Sequence, residues 1–192
     1  QSRGTHPGDD RPGRRARRRR GGAPPHLRRR RLHRPEVHQL VFDQLETFTL
    51  PPEIDPAIST RIAELYNADQ AARRFPGNDP ALLAAEDVTR RIEMLGYIQN
   101  GQIQTPKDLI SAAYIFQHGD CPEHFRLANR LAQIALQAGS PDAPWIVAAT
   151  LDRYLMSLGQ PQKYGTQYAL IDGVYALYPV DPSTTDEERA LY

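Results

Sequence analysis

With 192 residues the chain is long enough for one domain with a real buried core plus an additional segment, and its single cysteine, Cys121, excludes an internal disulfide. The formal net charge of +1 hides two opposed parts: residues 1–35 carry 13 Arg against 2 Asp, and the remainder carries 11 Lys plus Arg against 21 Asp plus Glu. An acidic remainder argues against nucleic acid as a partner of the folded part.

The first 35 residues, built around RRARRRRGGAPPHLRRRRLHRP, offer almost nothing apolar to bury. They are expected to be a disordered basic tail, read as biased composition rather than as a dedicated binding segment. Residues 36–192 then form the domain. No apolar run reaches the length of a signal-peptide core or a membrane span, and one cysteine suits a reducing compartment, so a cytoplasmic location is the expectation.

From residue 55 onward one start signal repeats: a capping or turn residue followed by proline, whose missing N–H costs nothing in the first helical turn. Asp55-Pro56, Asp79-Pro80, Thr105-Pro106, Cys121-Pro122 and Ser140-Pro141, or alternatively Ala143-Pro144, open five helices. Phe75-Pro76-Gly77, Gly101, Gly119, Gly139 and Gly159 close them. The short connections predict neighbouring helices packed as a bundle, so the fold class is all-α. Tyr168, Leu170, then Asp172-Gly173, then Val174, Ala176 and Tyr178 match a two-residue β-hairpin. Beyond it, Ser183 to Arg189 reads as a short further helix with Thr184 and Glu187 at capping-box spacing, cut off at Tyr192 before it is complete.

Polar residues stand where helix periodicity calls for core residues. In the first proline-started helix, Ile58, Ile62, Leu65, Asp69 and Ala72 share a stripe, and the structural alternative for Asp69 is an ion pair with Arg73 at i+4 that leans out of the core. In the third, Gln117 falls on the buried arc of Ile110 and Ala113, while His118 follows Ser111 and Tyr114 into the last turn, where the helix dipole alone would favour it. In the fifth, Asp152 lies between Trp145, Ala148 and Met156, with Arg153 about 100° away, so its partners must come from other elements. Next comes QPQKYGTQ, which places Gln162, Tyr164, Thr166 and Gln167 near the end of that helix. Its plain alternative is a loop whose amides satisfy backbone groups and pin the hairpin.

The succession of Asp69-Gln70, Gln117-His118, Asp152-Arg153 and PQKYGTQ at 161–167 resembles a bacterial family, domain of unknown function 6624, over roughly residues 58–192. The resemblance implies a small helical domain with these polar positions as its shared set, and brings no activity with it. GDCPEH, with Cys121 and His124, and the basic tail fall outside the family's pattern.

Together these residues point to a pocket for a polar small molecule. As an enzyme, the domain would use His118 as general base or acid, Asp152 or Asp69 as the orienting carboxylate, and Arg153, Gln117, Gln162, Tyr164, Thr166 and Gln167 as substrate contacts, in hydrolase- or transferase-like chemistry. The alternative is a non-catalytic interaction or structural module whose buried polar network fixes packing while its surface meets a protein partner. No cofactor is expected. A divalent metal on His118, Asp120, Cys121 and His124 is the lesser reading, because their spacing matches no strong zinc signature. Cys121 at a helix start would have a lowered pKa and lies near His118 and His124 in sequence, yet a small buried cap is the more common fate of such a residue. No phosphate loop, GxGxxG or GxSxG motif is present.

Overall fold

The computed structural model describes residues 35–74, 77 and 79–192. The expected disordered tail therefore lies, apart from Pro35, outside the described residues, as do Phe75 and Pro76 of the first stop signal. In chain order the elements are α1 (Pro35–Glu46), α2 (Pro56–Arg74), α3 (Pro80–Gln99), α4 (Pro106–Gln117), α5 (Pro122–Gln137), α6 (Ala143–Ser157), β1 (Tyr168–Ile171), β2 (Val174–Leu177) and α7 (Asp186–Arg189). The all-α bundle and the C-terminal hairpin are as the sequence predicts. No helix among the described residues is long and apolar enough to cross a membrane.

Proline opens α2 to α5 at their first position, and local capping completes the starts. Asp79 accepts from the Ala81 N–H, and Thr105 and Asp108 form a reciprocal capping box that satisfies two backbone donors at the head of α4. The fifth proline-started helix begins at Ala143, so Pro144 and not Pro141 lies in its first turn. The capping box of α7 is one residue later than the spacing suggested, with Thr185 and Glu188 in place of Thr184 and Glu187.

One helix escaped the sequence reading. α1 opens at Pro35, a start signal absorbed there into the basic tail, and buries Val41, Phe42 and Leu45 against α3 and α5. Arg126 lies 4.1 Å over the Phe42 ring, and Arg130 donates to the Leu45 carbonyl at 2.9 Å. The core itself is the meeting of α4, α5 and α6, whose small residues Ala112, Ala113, Ala128, Ala132 and Ala149 are sealed from solvent. Small side chains there let the three helices approach closely, while Leu109, Phe116, Leu127, Leu131 and Ile146 fill the volume between them. α2 packs along α4 and α3, which brings its buried stripe of Ile62, Leu65 and Asp69 onto the bundle.

The hairpin turns on Asp172 (φ 49°) and Gly173 (φ 81°), both in the left-handed region that a two-residue turn of this kind requires, with Ile171 paired to Val174 and Tyr168 to Leu177. It stands off the helices: Tyr168, Leu170, Val174, Tyr175 and Leu177 are all more than half exposed. Its base is tied down, because the Gln162 N–H donates to the Pro179 carbonyl and the Asp181 N–H to the Gln162 carbonyl.

Candidate functional site

The polar residues singled out in the sequence fall into two separate groups. The first lies where α2 and α4 end side by side. His118, the C-cap of α4, places Nδ1 2.9 Å from Oδ2 and 3.2 Å from Oδ1 of Asp69, a residue 49 positions away and only 1 % exposed. The Asp69–Arg73 ion pair exists at 2.9 Å, but it does not draw Asp69 out of the core. Arg73 instead reaches inward, donating through Nη1 to the Asp69 carboxylate and carbonyl and through Nη2 to Asp87 at 2.7 Å. Arg90 holds the other Asp87 oxygen at 2.7 Å, and Gln70 donates to Asp69 at 2.9 Å.

This arrangement sets the state of the imidazole. Asp69 is an acceptor, so the Nδ1 that faces it carries the proton, and the neutral ring keeps its lone pair on Nε2. Burial lowers the His118 pKa below its ordinary value of 6.5; the hydrogen bond and charge of Asp69 oppose the shift, and the Arg73 and Arg153 charges add to it. At neutral pH His118 is therefore a neutral imidazole able to accept a proton at Nε2. The ring retains 15 % of its side-chain surface, and Nε2 has no hydrogen-bond partner among the described residues.

α3 contributes what the sequence reading missed. Asp87, Arg90 and Arg91 are buried on it, in the stripe that continues through Met94 and Ile98. Arg91 donates to the His118 carbonyl at 2.7 Å and so fixes the end of α4 on which the imidazole sits. The signal was present, since charges at 87 and 91 precede apolar residues at 94 and 98 with core spacing, the same anomaly that drew notice in the other helices.

The second group is built on Asp152, which is fully buried but does not meet His118. Its Oδ1 accepts from the N–H groups of Lys163 (2.7 Å) and Tyr164 (2.9 Å), and its Oδ2 from the N–H (2.9 Å) and hydroxyl (2.8 Å) of Thr166. Gln162, also sealed from solvent, donates to the Gln167 and Tyr178 carbonyls at 2.9 Å and accepts from the Gln167 N–H at 2.8 Å. The Gln167 amide turns back to the Thr166 hydroxyl at 2.9 Å. The expected roles of Asp152 as catalytic carboxylate and of Gln162 and Thr166 as substrate contacts thus meet polar atoms already committed within the loop. The geometry is that of the alternative reading, a loop pinned to α6 and to the hairpin, because a carboxylate that accepts four donors has little left to offer a ligand. Gln117 is buried on α4, 4 % exposed.

The Tyr164 ring and Arg153 reach beyond the Asp152 network, Tyr164 toward Tyr192 and Arg153 toward the first group. The Tyr164 ring lies 4.6 Å from that of Tyr192, and burial together with their hydrogen bond pushes its hydroxyl pKa up to about 12. Tyr192 in turn lines a cleft of about 510 Å³ with Tyr66, Lys107, Tyr114, Asp142 and Trp145. Tyr114 stands edge-on to Tyr66 at 5.3 Å and stacks on Trp145 at 6.2 Å. Tyr66 and Tyr114 precede Asp69 and His118 by about one helical turn, so the aromatic cleft and the dyad are successive levels of the same helices. Arg153 lies two turns beyond Trp145 on α6, and its charge acts on His118 and on Arg73. A groove of about 430 Å³ between α2 and α3 is a poorer candidate, since its Arg61 is paired with both Glu64 and Glu93 at 2.8 Å.

Beyond the end of α4, Gly119 lies against His124: a Cβ there would sit 2.3 Å from that of His124. The ligand atoms of Asp120, Cys121 and His124 fall within 4.8 Å of one another, but Arg91 lies 3.6 Å from Asp120 and already supplies the positive charge that a metal would bring. Cys121 does not have the depressed pKa expected at a helix start. Burial pushes it up to about 11, so desolvation of the thiolate outweighs the helix terminus. Comparison with known proteins finds no matching family model and no match among curated proteins or solved structures.

Proposed function

We propose that the protein binds and acts on a polar small molecule at the adjoining ends of α2 and α4, with His118 as general base and then acid and Asp69 as the carboxylate that orients it. The observation that carries this reading is the dyad: a neutral imidazole, tethered through Nδ1 to a buried carboxylate, with an Nε2 that has no partner among the described residues, on a ring that keeps contact with solvent. Such a base takes a proton from water or a substrate hydroxyl as it attacks, then returns it to the leaving group, the proton economy of a hydrolase or transferase. The cleft of Tyr66, Tyr114 and Trp145 one turn away would receive the less polar part of the molecule.

The test is to incubate the purified protein and a His118→Gln variant with a mixed small-molecule metabolite extract and to follow each compound by mass spectrometry. A compound consumed by the native protein, and roughly 10²- to 10⁴-fold more slowly by the variant, supports the reading. Equal consumption by both removes His118 from the chemistry.

A second reading, an interaction module, has one observation of its own: the apolar hairpin of Leu170, Val174, Tyr175 and Leu177 projects from the bundle with both faces exposed. It becomes the better reading if no compound is consumed or retained.

A further inference from the structure

Around the dyad the carboxylates of Asp69 and Asp87 face Arg73 and Arg90, Glu86 reaches Arg90 as well at 3.4 Å, and Asp120 lies 3.6 Å from Arg91. Asp69 serves Arg73, Gln70 and His118, and lies 3.8 Å from the Arg90 Nε; Asp87 serves Arg73 and Arg90. Asp152, next to Arg153 in sequence, points about 100° away around α6 and is saturated by Lys163, Tyr164 and Thr166. No hydrogen bond or ion pair reaches the Arg153 guanidinium among the described residues, and its Nε is shut off from solvent without a partner. Its charged neighbour is a second cation, Arg73, which is itself paired with Asp69 and Asp87. A partly buried guanidinium beside another cation, with Asp69, Asp87 and Asp152 engaged elsewhere, is unfavourable in the free protein.

We propose that Arg153 is the receptor for an anionic oxygen group, a carboxylate or a phosphoryl group, on the molecule that His118 acts upon. The inference rests on the proposed role of His118 for the identity of the site, and adds the class of ligand. The planar guanidinium offers paired donors that match two oxygens of either group, and Arg73 adds positive charge beside it. An anion seated there would offset the repulsion between the two arginines. It would also favour the protonated imidazole, so that binding raises the His118 pKa. The aromatic cleft of Tyr66, Tyr114 and Trp145 lies one to two turns away on the same three helices, which suits a ligand with an anionic end and a flat or apolar remainder.

The experiment uses the full chain and three probes: inorganic phosphate, acetate, and chloride at matched ionic strength as control. The His118 pKa is read from the pH dependence of its ring Cε1–H resonance, and stability from the thermal midpoint, for the native protein, Arg153→Met and Arg153→Lys. The expected result is that phosphate or acetate, but not chloride, raises the His118 pKa by roughly 0.5–1 pH unit together with the melting temperature. Whichever of the two acts names the group. Arg153→Met should abolish both responses while melting no lower than the native protein without anion, because an apolar side chain relieves an unmatched charge; Arg153→Lys should keep part of the response.

The proposal is overturned if neither anion acts beyond chloride, if Arg153→Met responds as the native protein does, or if Arg153→Met melts far lower or does not fold, which would make Arg153 architectural. The two readings fail separately. An anion that stabilises through Arg153 yet leaves the His118 resonance unmoved keeps the receptor and detaches it from the acid–base site. Turnover that depends on His118 but not on Arg153 does the reverse.

Discussion

Replacing Asp152 with asparagine should cost the domain roughly 3 kcal/mol, and the cost follows from its four donors rather than from a cation left behind. Lys163 N–H and Tyr164 N–H converge on Oδ1, and Thr166 N–H and hydroxyl on Oδ2, within 2.7–2.9 Å. An asparagine has one acceptor where the carboxylate has two, so its NH₂ must face one pair of donors. The better orientation points it at Thr166, because the hydroxyl can rotate to accept while the Thr166 N–H loses its partner. One buried donor left unmade costs about 1–3 kcal/mol, and loss of charge assistance at the two retained bonds adds about 1 kcal/mol. Asp152→Ala, which abandons all four donors, should cost more. Urea denaturation of both variants gives the free energies, and amide hydrogen exchange locates them: Lys163, Tyr164 and Thr166 should exchange faster while the α4–α5 core stays protected. A loss below about 1 kcal/mol for Asp152→Asn, or unchanged exchange in the loop, would refute the reasoning.

The ring of His118 should titrate below 6.5, a value nuclear magnetic resonance reads directly, and Arg153→Met should raise it by removing a neighbouring positive charge. Because the folded pKa is the lower one, the unfolded chain takes up the proton first, so this residue's contribution to stability is present above 6.5 and is lost as pH falls through its folded pKa; a contribution that grew on acidification would contradict it. Gly119→Ala should destabilise by about 1–3 kcal/mol in the same urea assay, since the new Cβ meets the His124 side chain; a neutral substitution would show that the turn gives way freely. Cys121 should react with a disulfide reagent at pH 8 far more slowly than a free thiol, as a pKa of about 11 leaves on the order of one thiolate in a thousand, and a rate equal to that of a model thiol would overturn the account.

The limits of the helices were legible in the chain because proline and glycine act within one or two residues. A proline can only begin a helix cheaply, and a glycine relieves the backbone just past its end. The hairpin was legible for the same reason, through Asp172 and Gly173. α1 was not, because its proline stood at the edge of a segment whose composition outweighed it. The anomalous carboxylates were also visible as departures from helical periodicity, which is why Asp69 and Asp152 could be picked out before any contact was known.

What periodicity could not say is which partner each carboxylate takes, for a helical pattern specifies a direction around its own axis and nothing about the neighbour met there. Asp69 and Asp152 look alike in sequence. Packing of α2 along α4 gives one of them an imidazole 49 residues away, leaving a base whose Nε2 has no partner among the described residues. The turn after α6 gives the other four donors from residues 163–166, so it builds a loop. Burial of Asp87, Arg90 and Arg91 depends likewise on α3 meeting the ends of α2 and α4. That Arg153 finds no counter-charge among the described residues belongs wholly to the tertiary structure, because it depends on where packing sends Asp69, Asp87 and Asp152.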